Sequence, residues 1–181
     1  NHGDLFWPYL RDPETLARPW AIPGTPGLMH RIGGLEKEDG TGNVNYDPEN
    51  HEHMVRIRAE KVARIARDIP PVEVDDPDES DMLVLGWGST WGSIQAAVRR
   101  VRAGGKQVAH AHLVHMNPFP ANLGEVLSGY QKILVPEMNL GQLSRLVRAE
   151  YLVDAQTLSK VQGVPFSATE TEARILEMLD A

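Results

Sequence analysis

Cysteine is missing from the chain altogether. That absence excludes disulfides, thiolate nucleophiles and any iron–sulfur cluster held by the chain's own thiolates. An iron–sulfur enzyme built around this chain would need a partner to hold the cluster. The absence also suits a cytoplasmic protein. A basic excess is missing too: 18 Lys and Arg stand against 25 Asp and Glu, a formal net charge of −7. Without a basic face to neutralise phosphates, nucleic acid is excluded as a partner. No apolar run approaches the ~20 residues that span a bilayer, which excludes a membrane-spanning role. What is there, 41% hydrophobic and 24% charged residues over 181 positions, is the composition of a folded globular domain with or without an extension.

Residues 1–46 are rich in Pro and Gly. Pro8, Pro13, Pro19, Pro23 and Pro26 interrupt any long helix, yet Phe6, Trp7, Tyr9 and Trp20 call for burial. The segment therefore reads as one draped over another surface. The opening Asn1-His2-Gly3-Asp4, with neither Met nor a signal peptide, reads as the interior of a longer subunit. A helix follows, with Asp47 as N-cap, Pro48 in its first position and Met54, Ile57, Val62, Ile65 and Ile69 as its apolar face. Residues 70–81 are acidic and proline-rich, a linker pattern.

Beyond residue 81 the pattern becomes regular. Apolar runs at Met82–Leu85, Val108–Val114 and Lys132–Val135 read as strands. Helices are expected over Ser93–Ala103, Ala121–Leu127 and Gly141–Tyr151. A further short strand is expected over Gln162–Pro165, and a last helix capped by Thr169 with Glu172 three residues on. Alternating strands and helices predict an α/β domain over 82–181, with a parallel-dominated sheet, helices on both faces and an irregular N-terminal extension.

Several clusters are candidates for chemistry. Pro136-Glu137-Met138-Asn139-Leu140-Gly141-Gln142-Leu143 crowds an acid, an amide and a glycine at the carboxyl end of a strand, where ligands and subunits dock on such sheets. Gly86-Trp87-Gly88-Ser89-Thr90-Trp91-Gly92 follows a strand and opens a helix, as a dinucleotide fingerprint would. Its third glycine falls one position late, however, and the second strand ends in His112-Leu113-Val114-His115 with no acid for a ribose. A tight turn packing Trp87 and Trp91 is the favoured reading, with an anion at the helix start as the alternative. His110 and His112 share one strand face and read as buried histidines with satisfied hydrogen bonds, not as zinc ligands, since a third ligand and cysteine are lacking. His51, Glu52 and His53 read as a solvated helix face. The loop from His30 to Val44 gathers Arg31, whose planar fork fits a carboxylate, with Gly33, Gly34, Gly40 and Gly42, which permit close approach or positive φ.

Four stretches carry a resemblance: Gly27-Leu28-Met29-His30-Arg31-Ile32-Gly33-Gly34-Leu35-Glu36; Asn43-Val44-Asn45-Tyr46-Asp47-Pro48-Glu49-Asn50; Gly86-Trp87-Gly88-Ser89-Thr90; and Pro136 to Leu143. In this order and spacing the chain resembles the α subunit of 2-oxoacid:ferredoxin oxidoreductases, most closely the 2-oxoglutarate type. The resemblance implies oxidative decarboxylation on thiamine diphosphate with Mg²⁺, electron transfer through a 4Fe-4S cluster to ferredoxin, and acyl transfer to coenzyme A, a step of the tricarboxylic acid cycle. It places the cofactor ligands mainly on a β subunit and the thiamine-activating carboxylate elsewhere in the α subunit. Residues 1–81 would be the tail of the pyrimidine-binding domain and its linker, and 82–181 a transketolase C-terminal-like domain. The partners implied are the β subunit, the remainder of the α subunit and ferredoxin. Arg31 and His30 become substrate-binding candidates, and Glu137, Asn139, Gly141 and Gln142 interface candidates, with no catalytic residue on this chain. A non-catalytic α/β docking module is the alternative reading.

Overall fold

The structure, a computed structural model, describes residues 5–76 and 79–181. The chain divides into two compact units, at Asp68 and Ile69. The boundary falls earlier than residue 81 because part of the expected linker is built into the sheet of the second unit.

In the first unit most of the backbone is irregular. Isolated antiparallel bridges join Tyr9 to Gly40 and Lys37 to Val44. Its one long helix, α1 (Pro48–Arg64), is continued by a 3-10 turn over Ile65–Arg67. Asp47 caps α1 as expected, its Oδ1 accepting from Glu49 N at 2.8 Å. Of the expected apolar face only Met54 is buried; Val62 and Ile65 remain exposed. Phe6, Trp7 and Tyr9 are half-buried, but Trp20 is 94% exposed. Lys37 is buried with no acid paired to it among the described residues. Its ammonium donates instead to the carbonyls of Gly33 and Leu35, which satisfies the charge by dipoles.

The second unit is a five-stranded sheet in the order β1 (Val74–Asp75), β3 (Ala109–Leu113), β2 (Met82–Trp87), β4 (Lys132–Glu137), β5 (Ala155–Ser159). All pairings are parallel except β1 with β3. Side chains alternate between faces. Leu83 and Leu85 join α3 (Leu123–Ser128) and α4 (Gln142–Tyr151) on one face. Met82 and Val84 join α2 (Trp91–Ala103) and α5 (Ala168–Asp180) on the other. The expected α/β class with helices on both faces is what the chain adopts. Both faces of the central strands are dry because both are covered, so these strands read as continuous apolar runs.

Three details differ from expectation. β5 lies at Ala155–Ser159 and not at Gln162–Pro165. The latter has no partner strand, whereas Ile133 to Glu137 pair with residues 155–159 in register. The last helix is capped by Ser167, whose hydroxyl accepts from Glu170 N while the Glu170 carboxylate accepts from Ser167 N; Thr169 already lies inside the first turn. Finally, β2 runs on through Gly86 to Trp87, so the turn begins two residues later than the glycine pattern implies.

Candidate functional site

The connection from β2 leads to β3 on one side and that from β4 to β5 on the other. The carboxyl ends of β2 and β4 therefore flank the point where the chain's path diverges, the usual crevice of open α/β sheets. Two loops meet there. In the first, Thr90 Oγ1 donates to Trp87 O at 2.8 Å and accepts from Trp87 N at 3.2 Å, which closes the Gly88–Thr90 turn. Trp87 packs partly against the core as expected, but Trp91 stays 48% exposed. Ser89 Oγ reaches Met138 Sδ of the second loop at 3.9 Å.

In the second loop Glu137 is completely buried. Its carboxylate accepts from Leu143 N at 2.7 Å and from Ser144 N at 3.0 Å, the first turn of α4. A negative charge there meets orphan amides and the positive end of the helix dipole. Asn139 Oδ1 accepts from Gly141 N and Gln142 N, both at 2.8 Å. Gly141, the N-cap, holds φ 81°, and a Cβ on it would lie 3.0 Å from Ser144 Oγ, so the turn needs glycine. The structure thus brings Glu137, Asn139, Gly141 and Gln142 together, with Glu137 and Asn139 committed to starting one helix. The outward face of this loop is left to Leu140, 72% exposed, and to Gln142.

His30 and Arg31 lie in the first unit, beside a cavity of about 350 Å³ that Phe6, Thr41, Gly42 and Asn43 help to line. His30 Nδ1 sits 2.8 Å from Leu28 O, and its ring meets Phe6 edge-on with centroids 5.3 Å apart. Gly42, at φ 74°, lets the far wall approach: a Cβ would come within 2.7 Å of Pro8 and Tyr9. Gly34 and Gly40 also take positive φ, whereas Gly33 does not.

The acids of this loop are already matched. Glu36 bonds both guanidinium nitrogens of Arg58, at 3.1 and 3.3 Å, and His51 Nδ1 at 2.9 Å. The Arg58 bonds outweigh the desolvation that would raise it, and with Lys37 N and His51 they hold the Glu36 carboxyl at about 2. His53 Nε2 lies 2.8 Å from Asp39 Oδ2. His51, Glu52 and His53 are all exposed, the solvated face that was expected; His51 and His53 in addition tie α1 to the loop, and Glu52 pairs within the helix, with Arg56. Arg31 is exposed and makes no ion pair with any described residue.

One feature ran against the expectation for the histidines. His110 and His112 do share a face, with ring centroids 6.0 Å apart. Yet His110 Nε2 and His112 Nδ1 are buried without a hydrogen-bond partner. Burial pushes His110 down to about 4 and lowers His112 as well. The cavity beside them also takes in Trp91, from the glycine-rich turn, and Gln95 and Glu73, which no sequence motif singled out. Among the described residues, no group of three or more His, Asp or Glu is placed to hold a metal ion, and no helix is long and apolar enough to cross a membrane.

Comparison with known proteins adds the family. The profile for pyruvate:ferredoxin oxidoreductase core domain II matches residues 80–170. The chain belongs to this family. It is 56% identical, over 93% of its length, to the 2-oxoglutarate oxidoreductase subunit KorA of Mycobacterium tuberculosis, of which it covers 26%. It is 32% identical over 67% of its length to the 2-oxoglutarate synthase subunit KorA of Methanocaldococcus jannaschii, covering 34% of that protein. Among solved structures, the 2-oxoglutarate:ferredoxin oxidoreductase of Magnetococcus marinus, with 2-oxoglutarate, coenzyme A and succinyl-CoA bound, superposes with TM-score 0.85. That likeness has 32% identity and covers 97% of this chain and 31% of that one. The chain thus spans between about a quarter and a third of these three relatives, and the resemblance inferred from the four motifs is the family the profile identifies.

Proposed function

We propose that this chain supplies the C-terminal part of the α subunit of a cytoplasmic 2-oxoglutarate:ferredoxin oxidoreductase, a heteromeric enzyme of the tricarboxylic acid cycle. The enzyme would convert 2-oxoglutarate and coenzyme A to succinyl-CoA and carbon dioxide and pass two electrons to ferredoxin. The observation that carries the reading is the 56% identity to the mycobacterial subunit over nearly the whole chain. On this reading the first unit is the tail of the pyrimidine-binding domain and the second the transketolase C-terminal-like domain.

The donor set agrees with cofactors held elsewhere. A 4Fe-4S cluster needs thiolates, and the chain has none. This chain's own part is therefore positioning. A substrate with two carboxylates needs a cation, and Arg31 is a guanidinium beside a cavity, with the neighbouring acids already engaged by Arg58, His51 and His53. His30, fixed by Leu28 O and Phe6, would shape the wall next to it. At the sheet edge, the Glu137–Gln142 turn would set the face offered to a β subunit, with Leu140 and Gln142 as the outward residues.

The test is kinetic and uses the assembled enzyme. Arg31→Ala should lower kcat/KM for 2-oxoglutarate by about tenfold or more, the loss of one charge-assisted contact, and affect a monocarboxylate 2-oxoacid less. Unchanged kinetics would remove Arg31 from the site. Absence of any turnover of 2-oxoglutarate by the wild-type enzyme, with thiamine diphosphate, coenzyme A and a low-potential acceptor, would overturn the reading itself.

A further inference from the structure

The turn that carries Arg31 has little of its own to hold it. Arg31, Ile32, Gly33, Gly34 and Leu35 are all exposed, and among the described residues no backbone hydrogen bond ties them to another segment. Nor do they have an apolar anchor, since Ile32 is 69% exposed and Leu35 50%. What reaches the turn is Lys37. Its ammonium donates to Gly33 O at 3.2 Å and also to Leu35 O. Gly34 lies between those two carbonyls at φ 86°, a left-handed conformation that curls the chain and brings both within reach of one donor.

Lys37 itself is fixed from the other side. It stands opposite Val44 in an antiparallel bridge. The pairing continues from Glu38 N to Asn43 O at 2.7 Å and from Asn45 N to Glu36 O at 3.1 Å. Asn50, from α1, clamps the same arm: its Nδ2 donates to Lys37 O at 3.0 Å, and its Oδ1 accepts from Asp39 N at 3.3 Å. The far arm of this hairpin, residues 41–44, lines the Arg31 cavity. Lys37 therefore joins the two walls of that cavity. Its backbone belongs to the hairpin that forms one, and its side chain grips the turn that presents the guanidinium on the other.

The residue type fits this task and no simpler one. The side chain is buried, at 2% exposure, and an ammonium taken out of water costs more than an apolar side chain of similar length. Methionine would serve packing better. A charged donor is explained by the two carbonyls, which nothing else among the described residues holds in place.

We propose that Lys37 is a positioning residue for Arg31: by fixing the 31–35 turn against the hairpin, it sets where the guanidinium meets the second carboxylate of the substrate, and so the preference for a dicarboxylate 2-oxoacid. The inference rests on the reading of Arg31 as a substrate contact. Position matters there because a planar fork bonds a carboxylate only in register, and a shift of about 1 Å forfeits most of the contact.

The test is made on the assembled enzyme. Lys37→Met should raise KM for 2-oxoglutarate about fivefold, with kcat nearly unchanged and a monocarboxylate 2-oxoacid little affected. Gly34→Ala approaches the same contact from the acceptor side. A Cβ there meets no atom within 4 Å, so its effect comes through φ alone, at an exposed position that spares the core. It should act in the same direction, and it carries the test by itself if Lys37→Met does not assemble. The deciding measurement is a double-mutant cycle. In an Arg31→Ala background neither substitution should cost anything further, since both act through the guanidinium. Losses that add to that of Arg31→Ala would make Lys37 a general support of the fold and overturn the proposal, as would unchanged kinetics in the single variants. If Arg31→Ala alone changes nothing, the reading of Arg31 falls first and the proposal falls with it.

Discussion

The two compact units of this chain are held together by different physics. In the second, Leu83, Val84, Leu85 and Leu134 are fully buried between helices on both faces of a sheet. At ~25 cal/mol per Å² of apolar area, such burial dominates stability. In the first, Pro8, Leu16 and Met54 are the buried apolar residues among those described. Its loops are instead tied by polar contacts: Glu36 to Arg58 and His51, Asp39 to His53, Arg64 to the carbonyls of Pro13 and Glu14, and Lys37 to its own loop. The contrast separates a rigid edge from a charged surface. The dry sheet fixes positions at its carboxyl edge, and the polar loop carries Arg31, exposed and without an ion pair to any described residue.

The contrast can be broken most forcefully at the sheet. Leu134→Ala should destabilise the second unit by about 3 kcal/mol, read as a shift in urea midpoint or Tm. A loss below about 1 kcal/mol would mean that the core is not the source of stability. Next comes the polar element that the sheet does bury. Glu137→Ala removes the acceptor of two helix amides and should cost about 2 kcal/mol, with faster hydrogen exchange at Leu143 and Ser144; unaltered exchange would show that other groups cap α4.

Acid should then separate the units. Glu36 has its folded pKa lowered from 4.5 to about 2, so it stabilises the first unit above 4.5, and that contribution is lost as pH falls towards 2. His110 is lowered from 6.5 to about 4. The unfolded chain binds its proton first, so the second unit weakens earlier, between pH 6.5 and 4. Glu36→Gln and His110→Gln should each flatten only its own window in pH-dependent hydrogen exchange. The smallest effect is expected at Trp20→Ala. Though large, that side chain is 94% exposed, and its loss should stay within about 0.5 kcal/mol.

What the sequence revealed follows the same division. Strands covered on both faces read as unbroken apolar runs, so β2, β3 and β4 were legible to within a residue or two, and Asp47-Pro48 marked its helix start. β5 was not legible. Gln156, Thr157 and Ser159 are exposed on an edge strand, and only Ala155 is buried, so no apolar run announces it. Thr169 is the cap its capping-box spacing suggests, but Ser167 also precedes an acid by three residues, and only backbone geometry chooses between them. The turn at Glu137 was visible, but not that its carboxylate faces inward, since amides six and seven residues on leave no mark in a motif. The need for Trp20 to be buried was inferred from its chemistry alone, and the first unit does not meet it. Glu73, Trp91 and Gln95 come together only through the crossover geometry.

The two flanks of the sheet differ in one further respect. β1 contributes two residues, too few to template anything, whereas β5 presents five in register on its inner side and, among the described residues, no paired strand on its outer side. Any added strand, whether from an assembling neighbour or from an aggregate, has a single direction in which to grow. Arg174 and Arg148, bonded to Gln156 and to the Ala155 carbonyl, line that border, but Glu177 and Asp154 already match their charge, so a recruited segment would be chosen by its backbone and not by its sign.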